Sequence, residues 1–156
     1  MQLLTFTVAG QTYAIESRRV VEVLPLIPAR PIPHTPDYVR GVFTYRGRLV
    51  PLVDLGLRLN AGQLAERLST RVIVVETTLA GGAPQMLGLV AENVIAICSA
   101  EDAEASLPPF DFHDAAFLGK ILRIGGRTIQ LIVIEHLLPA GVSTGLFPAP
   151  MTASDP

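Results

Sequence analysis

The residues best equipped for chemistry are one aspartate, three histidines and one cysteine. Val53-Asp54-Leu55-Gly56 sets a carboxylate directly after an apolar strand, where dimeric acid proteases carry an Asp-Ser/Thr-Gly and share one proton between two carboxylates. Leu55 occupies the position where that dyad needs a bracing hydroxyl, so Asp54 is expected to cap a short helix over Leu55 to Leu59. The acid-protease alternative requires an obligate dimer and peptide cleavage at low pH. His34, His113 and His136 lie in a proline-rich connector, a polar loop and a last short helix. None has the His-x-x-x-His or Glu-x-x-His spacing that puts two metal ligands on one face. Cys98 stands alone in the apolar stretch Val94 to Cys98, without a neighbouring base to activate its thiol, and is expected to be a half-buried hydrophobe. Gly81-Gly82 and Gly125-Gly126 are not followed by Lys-Ser/Thr and a helix, so they are turns and not phosphate loops. The expectation is a non-catalytic chain with no cofactor and no metal.

Strand signals dominate the elements around these residues. Short Val-, Ile- and Thr-rich runs at 2–8 and 12–16 flank Ala9-Gly10-Gln11, and runs at 41–45 and 48–53 flank Arg46-Gly47. Runs at 71–78 and 85–90 flank the looser Gly81-Gly82-Ala83-Pro84, and runs at 120–124 and 127–134 flank Gly125-Gly126. Gly10 and Gly126 thus read as structural turn residues. Ser17 suggests an N-cap for a short helix over Arg18 to Val23. Thr35-Pro36-Asp37 through Gly41 has the order of a one-turn helix: a capping Thr, Pro at the first helical position, an early acid and a terminating Gly. Pro25, Pro28, Pro31, Pro33 and Pro36 keep the intervening connector extended.

Composition narrows the function classes. With 156 residues, 49% hydrophobic and only 17% charged, the chain can bury enough apolar surface to fold as one domain or as two small barrels with a common core. A net charge of -2 and no Trp give neither the basic face nor the stacking platforms that nucleic acid requires, which argues against an oligonucleotide-binding barrel. No apolar run nears the ~20 residues of a membrane span, and Met1-Gln2-Leu3-Leu4 carries no basic leader, so the expected location is the cytoplasm, without direct membrane insertion.

An internal repeat organises the strands. Ala14-Ile15 through Val23 aligns with Gly88-Leu89 through Ile97, 74 positions on, and Gly47 through Val53 aligns with Gly126 through Ile132, 79 positions on. Each half has the strands to close one small barrel, so the expected fold is all-β: a pair of barrels related by pseudo-twofold symmetry, with short connecting helices. Barrel one is expected over roughly 1–66 and barrel two over 67–138, with strands open to exchange between them. Residues 139–156, rich in proline and small side chains, are expected to form a flexible tail.

Gly41-Val42-Phe43-Thr44-Tyr45-Arg46-Gly47-Arg48-Leu49-Val50-Pro51-Leu52-Val53-Asp54-Leu55 resembles the central signature of CheW-like coupling proteins. The likeness extends from Leu3-Leu4-Thr5-Phe6 to Glu135-His136-Leu137-Leu138. It implies two SH3-like five-stranded barrels and a scaffold that bridges the cytoplasmic tip of chemoreceptors to a CheA-type histidine kinase. Other CheW-like proteins are further partners it implies. The receptor-binding residues implied are Val20, Glu22, Gly41, Arg46, Gly47 and Arg71. Two departures stand out: Thr44-Tyr45 replaces the usual Asn-Leu, and Arg71 replaces an apolar residue at a contact strand. They suggest a specialised chemosensory array, such as a surface-sensing pathway.

Overall fold

β-branched residues are stiff at χ1 and pack well on a pleated surface, and the strands follow where they cluster. The computed structural model describes residues 1–78, 84–100, 104–106 and 115–148. Its strands are β1 (Gln2–Val8), β2 (Gln11–Glu16), β3 (Val20–Pro25), β4 (Val39–Tyr45), β5 (Arg48–Asp54), β6 (Thr70–Thr78), β7 (Pro84–Ser99), β8 (Glu104–Ser106), β9 (Leu118–Ile124) and β10 (Arg127–Ile132). The described residues also hold two short helices, α1 (Leu55–Arg58) and α2 (Ala140–Leu146), and 3-10 turns at Ser17–Arg19 and Ile134–His136.

The pairing divides the strands into two groups. β3, β6, the first part of β7, β5 and β4 lie side by side, and an Arg30–Val42 bridge brings the proline connector back onto β4. The last part of β7, then β1, β2, β10, β9 and β8 form the second group. The first group has the five strands of the SH3-like plan, and the second has five with the three-residue β8 added at its edge. β1 and β2 therefore belong with β9 and β10, across the expected boundary near residues 66 and 67. β7 serves both groups. Its register against β1 shifts between Thr5 and Thr7, and Asn93 there has φ 47. Such a bulge bends a strand enough to leave one barrel and enter the next.

The registers obey the repeat. Tyr45 faces Arg48 across the β4–β5 turn, and Ile124 faces Arg127, both 79 positions on. The parallel pair Leu52–Gly88 has its counterpart in Leu131–Ala14, displaced by 79 and 74 positions. Even the irregularities correspond: Val39–Val53 beyond one bulge matches Leu118–Ile132 beyond the other. Chance likeness between β-rich segments would not reproduce register and bulge together.

The core lies between and within the groups. β6 buries Val72, Ile73, Val74 and Val75 in succession, and β1 buries Leu3 and Leu4 in succession, so both faces of these matching strands are covered. Continuous apolar runs belong to strands covered on both sides. Leu3 joins a small cluster with Ala14, Leu122 and Ile129, against which the half-buried Cys98 packs. Leu4 joins the larger cluster with Phe6, Phe43, Leu52 and Leu89.

Three local expectations require correction. Arg18 to Val23 is not a helix: a three-residue 3-10 turn gives way to β3 at Val20, because pairing with β6 uses the Val20-Val21-Glu22-Val23 alternation. Thr35 to Gly41 is not a helix either. Val39 N–H reaches Pro36 O at 3.0 Å in a single turn, Thr35 Oγ1 donates to Ile32 O, and β4 begins at Val39. Residues 139 to 148 of the expected flexible tail hold α2 and Phe147, which packs against the larger cluster. Its apolar contact repays the ordering of a segment with little helical propensity of its own. The Gly81–Ala83 part of the loose connection, His113 and the tail from 149 onward lie outside the described residues.

Candidate functional site

A polar rim is built where β3 passes the β4–β5 hairpin. The two-residue turn Arg46-Gly47 has φ of 49 and 75, the doubly left-handed form that matches strand twist. Gly47 adopts that form without strain. Arg46 holds it at a cost of about 1–2 kcal/mol, at the position that Gly125 occupies in the matching turn of the other barrel. The strained backbone aims the guanidinium at β3. Arg46 Nη2 donates to Glu22 Oε1 at 3.0 Å, and Tyr45 Oη donates to the same oxygen at 2.5 Å. The guanidinium also lies over the Tyr45 ring, 4.9 Å from its centre. Tyr45 is only 6% exposed, so its ring anchors in the barrel while its hydroxyl reaches the rim. The hydrogen bond to Glu22, then burial, holds the Tyr45 phenol above its ordinary range, against the opposing pull of Arg46.

The other expected binding residues lie around this rim or apart from it. Val20 begins β3 opposite Val75 and packs, half-buried, against the larger cluster. Gly41 is buried within β4 at φ 137, where a Cβ would lie 2.0 Å from Arg30 O. It permits the connector to touch β4, so its requirement is backbone packing and not the ending of a helix. Arg71 pairs with Pro25, at the opposite end of β3 from Val20, and its guanidinium bonds the carbonyls of Leu68 and Thr70. The register puts it three β6 positions from Val74, the partner of Glu22, about 10 Å along the strand.

Asp54 caps α1 as expected, accepting from Leu57 N–H at 3.2 Å through Oδ1. Arg40, which the sequence did not single out, donates to Asp54 Oδ2 from Nε at 2.8 Å and to Leu64 O from Nη2 at 2.7 Å. The carboxylate is wholly buried and faces a guanidinium, whereas an acid-protease dyad needs a second carboxylate. Among the described residues no group of three His, Cys, Asp or Glu side chains could hold a metal, and His34 and His136 are exposed. No helix among those residues is long and apolar enough to cross a membrane.

Sequence reasoning also missed two exposed apolar pairs. Val21 and Val23 point outward from β3, and Ile95 and Ile97, 74 positions on, are 66% and 59% exposed on β7. Their signal was in the repeat, since the aligned segments carry apolar residues on both faces of a strand whose register buries only one.

Two SH3-like barrels that share a strand and present a charged rim and outward apolar pairs form a scaffold of the kind that works through its surfaces. The CheW-like domain model matches residues 2–141, and the chain belongs to that family. It is 31% identical to a chemotaxis protein CheW of Rhizobium meliloti over 142 residues, covering 89% of this chain and 88% of the relative. Protein FrzA of Myxococcus xanthus is 29% identical over 136 residues, covering 85% and 82% of the two chains. Among solved structures, the scaffolding protein TtCheW from Thermoanaerobacter tengcongensis superposes with a TM-score of 0.75 at 26% identity, over 90% of this chain and 89% of that one.

Proposed function

We propose that this protein is a non-catalytic cytoplasmic scaffold that couples a chemoreceptor tip to a CheA-type histidine kinase. The observation that carries the receptor side is the Glu22–Tyr45–Arg46 rim, where an arginine is held in a left-handed backbone that its counterpart Gly125 adopts freely. Strain of this kind persists where the surroundings enforce it and gathers at binding sites. Val20 and Gly47 support the rim from β3 and from the turn. The kinase side falls to Ile95 and Ile97, whose exposed apolar surface suits the dry centre of an interface. Arg71, with Thr44-Tyr45, carries the narrower reading of a specialised surface-sensing array, because a charge at a contact strand excludes some partners and admits others.

The test mixes the full chain with a chemoreceptor signalling fragment and a CheA-type kinase from the same genome and follows kinase autophosphorylation. Arg46→Glu should lose receptor coupling and keep kinase binding, and the double change Ile95→Glu with Ile97→Glu should do the reverse. A wild-type chain that binds neither partner would remove the coupling function.

A further inference from the structure

Exposed ion pairs ordinarily contribute little, because two long side chains must be held in one geometry against water. The pair on this rim is held from three directions. The left-handed turn fixes the Arg46 backbone, the buried Tyr45 ring lies beneath its guanidinium, and the Tyr45 hydroxyl grips the same Glu22 oxygen that Arg46 bonds. Tyr45 touches both members of the pair, although 23 residues separate it from Glu22.

The repeat provides an internal control. The positions matching Glu22, Tyr45 and Arg46 in the second barrel are Ala96, Ile124 and Gly125, which offer no charge and no side-chain hydrogen bond. Barrel closure therefore does not require the cluster. Its cost in backbone strain falls on one barrel alone.

The cluster has a defined recognition chemistry. Glu22 Oε1 takes both internal donors, and Oε2 accepts nothing from the described residues. Arg46 uses one N–H group on Glu22 and remains 68% exposed in its side chain, with further donors in the guanidinium plane. A partner thus meets an acceptor beside a donor, with charges that cancel. A lone carboxylate would gain Arg46 but face Glu22, and a lone ammonium would meet the converse. A primary amide satisfies both, giving its C=O to Arg46 and its N–H to Glu22.

We propose that Tyr45 is a positioning residue that locks Glu22 and Arg46 into one dipolar unit, and that this unit reads an Asn or Gln side chain on the partner. The inference rests on the receptor-facing reading of the rim and adds to it the residue that sets its specificity and the chemistry it takes.

The test measures binding of the full chain to the purified chemoreceptor signalling fragment by calorimetry, for wild type, Tyr45→Phe, Arg46→Ala and the double variant. Tyr45→Phe keeps the ring and loses only the hydroxyl, so the barrel stays packed. It should weaken binding about tenfold, a change of about 1.4 kcal/mol. In the Arg46→Ala background the same change should cost less than about twofold, because the two groups act as a unit. A merely structural hydroxyl would cost the same in both backgrounds. Among single Asn→Asp and Gln→Glu changes in the fragment, at least one should remove the wild-type advantage over Tyr45→Phe. Wild-type binding matched by Tyr45→Phe overturns the positioning role and leaves the scaffold reading standing. A positioning effect that no amide change removes overturns the amide assignment. Absence of wild-type binding removes the receptor-facing reading and this inference together.

Discussion

Asp54→Ala should be among the most damaging single changes in the chain, through loss of a cap and the stranding of a cation. The carboxylate is wholly buried, caps α1 at Leu57 and pairs with an Arg40 side chain that is itself only 15% exposed. Losing an N-cap costs about 1 kcal/mol. Breaking a buried pair by removing one partner costs about 3–5 kcal/mol, because the remaining charge is left uncompensated. Arg40 keeps its bond to Leu64 O and some access to water, so the lower end applies. The sum is about 4 kcal/mol, a large share of the roughly 5–15 kcal/mol that holds a domain of this kind folded. With a urea m-value of about 2 kcal/mol/M, the unfolding midpoint should fall by about 2 M. Asp54→Asn keeps one acceptor oxygen, enough for the Leu57 cap but not for Arg40 as well, and removes the charge that balances the guanidinium, so it should lose less than Asp54→Ala by about the 1 kcal/mol of the cap. Combining Asp54→Ala with Arg40→Ala should cost clearly less than the sum of the two single changes. A loss below about 1 kcal/mol for Asp54→Ala, measured by equilibrium urea unfolding, would refute the account of a buried capped ion pair.

Two further outcomes follow from the same geometry. Gly41→Ala should destabilise by about 3 kcal/mol, since its Cβ would displace Arg30 from Val42 and break two backbone hydrogen bonds, whereas Gly47→Ala, with open space around it, should cost only about 1 kcal/mol of left-handed strain; equal losses in thermal or urea unfolding would contradict this. Because the folded state favours the neutral Tyr45 phenol, the stability this group contributes is complete below pH 10 and is lost as pH rises through its raised value; Glu22→Ala should return one of the three tyrosines toward 10, read by near-ultraviolet phenolate absorbance, and an unchanged titration would show that Glu22 does not hold it.

What the sequence by itself determined was local chemistry and its repetition. Arg46-Gly47 and Gly125-Gly126 read correctly as two-residue turns because the left-handed requirement leaves a residue-level mark. Asp54 read correctly as a cap because its capping bond to Leu57 reaches only three residues, whereas its pairing with Arg40, 14 residues away, left no local mark. The 74- and 79-residue offsets survived into matched registers because a period of two fixes which face of a strand is buried. Only the tertiary structure decided which strands keep company, since pairing between Leu4 and Ile97 or between Tyr13 and Gln130 leaves no signal in either segment alone. It turned Gly41 from a helix stop into a point of close approach, because the obstructing atom belongs to Arg30. It gave α2 an apolar neighbour that local composition could not supply. It also brought Tyr45 and Arg46 to Glu22, because the sheet closes a gap along the chain that no local rule spans, and fixed geometry then turns three ordinary side chains into one unit.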